Sequence, residues 1–378
     1  MTRARKALMG GVVALAVLAA AEGAVRLLFA DELAEARGGP PPAQDGAPTM
    51  KGNPYLLWEQ APGVRTEHGV TATINSLGLR GPEPVIPKPE GTRRLLVTGD
   101  SSVYGFGVGD DKPFIQVAAR LLGVEGHNAA IPGYSTLQTI NLLEMRALAL
   151  EPDVLVIANQ WSDNNFDSFV DRELLSAYTA FDESPRASLE RGLTRLAMYR
   201  LLHWKWVGGS QQAQARKVGW TVGGGKQSGA RRVAINDYAA NIDRIASMAV
   251  DAGAELVFVV LPNREDLVHN PNPQAWTVYR EVLRDAALRF GAPVVEGPAL
   301  FEGGQGLFLD EMHPTAPGHE VLGQELARVL QPWAEGGTVM GPGTGGGPKA
   351  WKDPFVFGNG GQASQPQAQT ATVSGRVY

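Results

Sequence analysis

Two short motifs, far apart in the chain, hold the residue types that acyl chemistry requires. They are Gly99-Asp100-Ser101-Ser102 and Asp310-Glu311-Met312-His313-Pro314. A serine hydroxyl is a weak nucleophile at neutral pH and needs a neutral imidazole to take its proton. A carboxylate on the other ring nitrogen then fixes the tautomer and steadies the imidazolium. Asp310 lies three residues before His313, so on one turn it can reach one imidazole nitrogen while the other faces a site. Alone, each motif is ordinary: a serine after a strand is about as often a helix cap, and Asp-x-x-His is common in surface turns. Together and in this order they point to Ser101 as nucleophile, His313 as base and Asp310 as its orienting acid.

Other chemistries fit the residues poorly. The chain has no cysteine, which removes disulfides, thiolate metal sites and a thiol nucleophile. Gly105, Gly107 and Gly109 suggest a phosphate loop but lack Gly-x-Gly-x-x-Gly spacing and a Walker lysine. Asp163, Asn165 and Asp167 imitate the start of a calcium loop, yet Ser168 stands where its glycine belongs and Leu174 where its bidentate glutamate belongs. His68, His127, His203, His269 and His319 show no ligand spacing, and Trp204 and Trp206 read as packing residues. No cofactor and no metal are therefore expected. A net charge of −5 gives no electrostatic reason to expect nucleic acid.

A parallel sheet is what could position such residues. Arg94–Thr98 and Val154–Ala158 are short apolar runs, as in strands buried on both faces, and His127–Ile131, Glu255–Leu261 and Pro293–Val295 read as three further short strands. Between and after them, helical spacing runs from Asp111 to Leu122, Leu137 to Leu150, Ile235 to Ala252, Gln274 to Phe290 and Gly318 to Leu330. This alternation predicts an α/β fold, a three-layer α/β/α sandwich around a five-stranded parallel, flavodoxin-like sheet. The hydrophobic fraction of 44% supplies a core of ordinary size. In such sheets ligands bind beyond the carboxyl ends of the strands, where Ser101 falls.

The flanks read differently. Arg3, Arg5 and Lys6 precede an apolar stretch from Ala7 to Ala21, and Glu22 and Arg26, four apart, share a helix face. Residues 1–30 are thus a signal anchor or, with small residues at Ala19-Ala20-Ala21, a cleaved signal peptide. Both readings put the rest of the chain outside the cytoplasm, because the basic flank stays inside. Residues 31–90 read as linker and irregular preamble, 91–332 as the main domain with an insertion at about 166–231, and 333–378 as a disordered Gly/Pro/Gln-rich tail.

Beyond these readings, the chain resembles the SGNH/GDSL hydrolase family over roughly Arg93 to Leu330. The resemblance rests on Gly99-Asp100-Ser101, on Asn128-Ala129-Ala130-Ile131-Pro132-Gly133-Tyr134-Ser135, and on Asp310-Glu311-Met312-His313-Pro314. Residues Asn75 to Gly81, Asn-Ser-Leu-Gly-Leu-Arg-Gly, resemble a stretch that precedes this domain in many exported bacterial members. The resemblance implies an oxyanion hole built from the Ser101 amide, Gly133 and a side chain after the third strand. Where the family carries Gly-x-Asn-Asp, this chain has Gln160-Trp161-Ser162-Asp163, which puts Ser162 in the asparagine's place; Asn164 is the donor if the loop shifts by two. The implied function is a serine esterase acting on acyl esters, acetyl esters of envelope glycans among them. An O-acyltransferase using the same residues and a non-catalytic glycan-binding protein are the alternatives.

Overall fold

The computed structural model describes residues 3–29, 50–53, 56–67, 69–167, 230–267 and 276–339, with short pieces at 171, 193, 196–199, 201–202, 274, 341 and 349–353. In chain order the strands are β1 (Met50–Asn53), β2 (Leu57–Gln60), β3 (Gly63–Glu67), β4 (Val70–Ile74), β5 (Arg94–Thr98) and β6 (Glu125–Asn128). They continue with β7 (Val154–Ile157), β8 (Phe166–Asp167), β9 (Ala230–Arg231), β10 (Glu255–Val260) and β11 (Val294–Glu296). The helices are α1 (Arg3–Leu28), α2 (Ser101–Tyr104), α3 (Phe114–Leu122), α4 (Thr136–Met145) and α5 (Trp161–Asn164). After them come α6 (Ile235–Asp251), α7 (Thr277–Phe290), α8 (Gly297–Phe301) and α9 (Ala316–Ala334).

The order β11-β10-β7-β5-β6 makes one five-stranded sheet, parallel at every pairing. This is the flavodoxin-like order expected from the sequence, with helices on both faces. Alternate strand residues feed two cores. Leu96, Leu155, Ile157, Phe258 and Val260 pack on one side with α4, α6 and α7. Leu95, Val97, Val154, Val156, Val257 and Val259 pack on the other with α3, α8 and α9. Each such side chain contributes about 1.5–3 kcal/mol on burial, which is why the central strands β5, β7 and β10 carry continuous apolar stretches rather than alternating ones, whereas the edge strand β6 is Glu125-Gly126-His127-Asn128. Helices α3 and α9 approach closely because Gly323 presents no side chain to Val117; a Cβ there would lie 2.5 Å from it.

Several boundaries differ from the sequence reading. The helix expected over Leu137–Leu150 stops at Met145, because Arg146 leaves helical geometry (φ −161°) and pairs with Glu59; a 3-10 turn follows at Ala147–Leu150. The second sheet strand is Glu125–Asn128 rather than His127–Ile131. The preamble is more regular than expected, with antiparallel pairs β1–β2 and β3–β4. Its β2 is buried along its whole length, and Gln138 donates to the Leu56 carbonyl beside it at 2.7 Å.

The stretch after Pro332, expected to be disordered, is in part packed on the domain. Helix α9 runs on to Ala334. Gly341 donates to the Gly291 carbonyl at 2.9 Å and sits so close to Ala292 that no side chain would fit. Trp351 and Asn236 exchange hydrogen bonds at 2.8 and 3.1 Å, and Asp353 pairs with the buried Arg231 at 2.8 Å. Polar partners on α6 and β9, invisible to composition, hold this piece. Residues 354–378 lie outside the described residues, as does most of the insertion.

Helix α1 contains one apolar span, Met9–Leu28, long enough to cross a membrane, with mean hydropathy 1.9. Glu22 and Arg26 pair on it at 2.8 Å as their spacing suggested. Glu22 also accepts from the Ala197 and Met198 amides, at 2.6 and 3.0 Å.

Candidate active site

Ser101 opens α2 directly beyond the carboxyl end of β5. The cap of this short helix is Asp100, whose carboxylate accepts the Ser102 amide at 3.1 Å. Because Asp100 does the capping, the Ser101 hydroxyl is left for another partner. The turn needs Gly99, where a Cβ would lie 2.4 Å from a Val103 methyl.

The partner is His313. Its Nε2 lies 2.8 Å from Ser101 Oγ, and its Nδ1 lies 2.7 Å from Asp310 Oδ2. In the neutral imidazole, Nδ1–H donates to Asp310 while Nε2 accepts the serine proton. The other Asp310 oxygen accepts the Met312 and His313 amides, each at 2.9 Å. The three-residue spacing thus closes a turn in which the carboxylate is gripped by the same backbone that carries the histidine. Burial works to raise the Asp310 carboxyl, but the hydrogen bond and charge of His313, with the two amides, outweigh it and hold the group at about 2. The turn is tied down by Leu309, which donates to the His313 carbonyl at 2.8 Å, and by the Ser102 hydroxyl, which donates to the Met312 carbonyl at 3.0 Å.

Gly133 lies beyond β6, in the left-handed region (φ +79°). Its carbonyl accepts from Arg232 at 2.7 Å, and the preceding Pro132 carbonyl accepts from the Trp58 indole at 3.1 Å. A Cβ at Gly133 would meet that indole at 2.9 Å, so both the backbone angle and the space require glycine. Neither the Ser101 nor the Gly133 amide has a hydrogen-bond acceptor among the described residues.

After β7 the arrangement is inward. Ser162 is buried and its amide donates to Asp100 Oδ2 at 2.9 Å, so one carboxylate joins the turns after β5 and β7. Burial raises the Asp100 carboxyl against the lowering pull of the Ser162 and Ser102 amides. The Asn164 side-chain amide donates to the Gln160 carbonyl at 2.9 Å, within its own turn. Asp163 Oδ1 accepts both the amide and the hydroxyl of Thr136, at 2.9 and 2.5 Å. Burial pushes Asp163 up to about 8 despite those bonds.

Sequence reasoning therefore brought forward Ser101, Asp310 and His313, which the fold brings into hydrogen-bonding contact, and Gly133 on a neighbouring strand end. It passed over Asp100, whose place before the serine marked it as a cap; Trp58, hidden in the preamble; and Phe106, whose ring lies 4.7 Å from the His313 ring. His319, which has no ligand spacing in the sequence, is buried and accepts the Phe114 amide at 3.3 Å, and burial lowers it to about 3. His127 pairs with Glu125 at 3.3 Å. His68, His203 and His269, with Trp204 and Trp206, lie outside the described residues. Among the described residues no three potential metal ligands converge.

No protein-family model and no curated protein matches the sequence. Among solved structures the chain is similar to a G-D-S-L family protein described as lipolytic, from Desulfitobacterium hafniense. The identity is 13% over 63% of this chain and 100% of that one, with a TM-score of 0.41. It is similar to a lipase/acylhydrolase from Enterococcus faecalis, at 14% identity over 64% of this chain and 96% of that one, TM-score 0.39. It is also similar to an acetylxylan esterase from Geobacillus stearothermophilus, at 14% identity over 62% and 93%, TM-score 0.39.

Proposed function

We propose that the protein is a serine esterase that cleaves acyl esters through a covalent acyl-Ser101 intermediate. The observation that carries this reading is the continuous Ser101–His313–Asp310 hydrogen-bonded chain, at 2.8 and 2.7 Å, beyond the carboxyl end of a parallel strand. Ser101 Oγ attacks the acyl carbon as His313 Nε2 takes its proton. The carbonyl oxygen becomes an oxyanion facing the Ser101 and Gly133 amides, with the Ser162 hydroxyl as third donor. The alcohol leaves with the proton from His313. Water, deprotonated by the same imidazole, then attacks the acyl carbon, and the imidazolium returns that proton to Ser101 Oγ as the acid leaves. Asp310 keeps its charge throughout and stabilises the imidazolium, which suits a carboxyl held at about 2.

Residues 91–332 form the hydrolase domain in this reading, held outside the cytoplasm by α1. Acyl esters of envelope glycans are then within reach as substrates. An active-site fluorophosphonate should label the wild-type protein and not Ser101→Ala, with far-UV circular dichroism unchanged. Equal labelling of the two removes Ser101 as nucleophile. Acid release that falls on adding a glycan acceptor, with acylated glycan appearing, would replace the hydrolase by the transferase. Protease added to intact spheroplasts should digest the domain, and protection until lysis would overturn the topology.

A further inference from the structure

We propose that Arg80 is a positioning residue for this site: its guanidinium gathers the carbonyls of the loop that follows Ser101 and so sets the Phe106 ring against His313. The inference rests on the reading of Ser101 and His313 as nucleophile and base. Arg80 belongs to the preamble, in the Asn75–Gly81 stretch, and bridges β4 to the end of β6: its amide donates to the Asn128 carbonyl at 3.2 Å. Its side chain is only 2% exposed.

The loop from Tyr104 to Val108 turns its carbonyls inward, with Gly105 and Gly107 both left-handed (φ +88° and +74°). Arg80 Nη1 donates to the Tyr104 and Gly105 carbonyls at 3.0 and 2.6 Å, and Nη2 donates to the Val108 carbonyl. Nε donates to Asp110 at 3.1 Å, and Asp110 also accepts the Thr73 amide on β4. The guanidinium carbon stands 4.6 Å from the centre of the Tyr104 ring. Only a planar fork serves several buried acceptors and a carboxylate at once; a lysine ammonium is a point charge and cannot span them.

What the loop carries explains why its position matters. Phe106 donates its amide to the Ser101 carbonyl at 3.2 Å, and its ring lies against the His313 imidazole, centroids 4.7 Å apart and planes 36° apart. Gly107 runs against the histidine's own turn: a Cβ there would be 2.7 Å from a Leu309 methyl. A loop freed from Arg80 releases one wall of the imidazole, which then leaves the line between Ser101 and Asp310. Displacement of about 1 Å in such a constellation costs on the order of 10²-fold.

The test compares Arg80→Met, Arg80→Lys and Phe106→Leu with the wild type. The readouts are the far-downfield proton resonance of His313 Nδ1–H, kcat and KM on a small activated ester, and far-UV circular dichroism. The expected result is a sharp wild-type resonance that broadens or vanishes in all three variants. With it, kcat falls about 10–100-fold, KM stays within about three-fold, and the dichroism is retained. If Arg80→Met does not fold, Phe106→Leu and Arg80→Lys still decide. A sharp resonance and wild-type kcat in Phe106→Leu, or full function in Arg80→Lys, overturns the proposal. A wild type that neither turns over ester nor takes fluorophosphonate overturns the esterase reading instead, and the resonance comparison still decides whether Arg80 and Phe106 order His313.

Discussion

The turns after β5 and β7 leave the same edge of the sheet on adjacent strands, yet they use their polar groups in opposite ways. After β5, Asp100 turns inward and satisfies amides, and the next side chain, Ser101, is left half-buried with its hydroxyl on His313. After β7, the side chains of Asp163 and Asn164 are consumed by Thr136 and Gln160, and the residue that reaches the neighbouring turn, Ser162, does so through its backbone. One strand-to-helix turn leaves a hydroxyl in contact with an imidazole, while the other is closed on its own hydrogen bonds and braces it through Asp100. Reactivity on such an edge follows from which hydrogen bonds are already made, and a polar residue type alone does not disclose that.

The strongest way to break this contrast is at the exposed turn. His313→Ala should lower kcat on an activated ester by on the order of 10⁶, with the Ser101→Ala, His313→Ala double variant hardly worse, since residues acting as one unit do not add. Asp310→Asn should cost less, on the order of 10⁴. The variant should also lack an acid-side contribution to stability: a carboxyl held down at about 2 favours the folded turn above its ordinary 3.8, and that advantage disappears as pH falls toward 2. Steady-state kinetics measures the first effect, and melting temperature followed from pH 6 down to pH 2 measures the second. Additive losses in the double variant would mean that Ser101 and His313 act separately.

The next test sharpens the contrast at the inward turn. If the Ser162 hydroxyl is the third oxyanion donor, Ser162→Ala lowers kcat by on the order of 10²–10³ with KM nearly unchanged, because such a donor acts in the transition state. Asn164→Ala, whose amide already serves the Gln160 carbonyl, should fall by less than ten-fold. Impairment of Asn164→Ala alone would shift the register of this turn by two residues. Normal kcat in both leaves the hole to the two backbone amides.

What could be read in advance follows the range of the interactions. The central strands were legible because burial on both faces makes them continuously apolar, as in Leu95–Val97 and Val154–Ile157, while the edge strand Glu125–Asn128 has no such run and was read two residues late. Ser101, Asp310 and His313 were legible because the last two share one turn and the first follows a strand. The partners of Gly133 were not, since Trp58 and Arg232 come from stretches 75 residues before and 99 after it, and nothing local marks them. The ordered piece around Trp351 was missed for the same reason: its composition is that of a tail, but Asn236, Asp285 and Arg231 supply partners from elsewhere. Helix α4 ended early for a tertiary reason too, the pairing of Arg146 with Glu59.

The smallest expected effect concerns Asp163, the framing carboxyl. Burial raises it from 3.8 to about 8, so the folded protein keeps this proton over a range in which the unfolded chain has lost it. The unfolded state therefore binds fewer protons between about pH 4 and pH 8, and this group's contribution to stability falls as pH rises, by at most about 1.4 kcal/mol per unit, levelling off above 8. Asp163→Asn cannot ionise. Its Oδ1 can still accept from Thr136, and its Nδ2 takes the place of the protonated Oδ2, which likewise has no partner among the described residues, so the two neutral side chains carry a similar, pH-independent cost. The variant should thus melt near the wild type at pH 5 and above it by pH 8, with each kcal/mol read as about 2–4 °C. A difference in melting temperature that stays constant from pH 5 to pH 8 would mean that Asp163 is ionised in the folded protein, and that the turn after β7 holds a charge rather than a neutral frame.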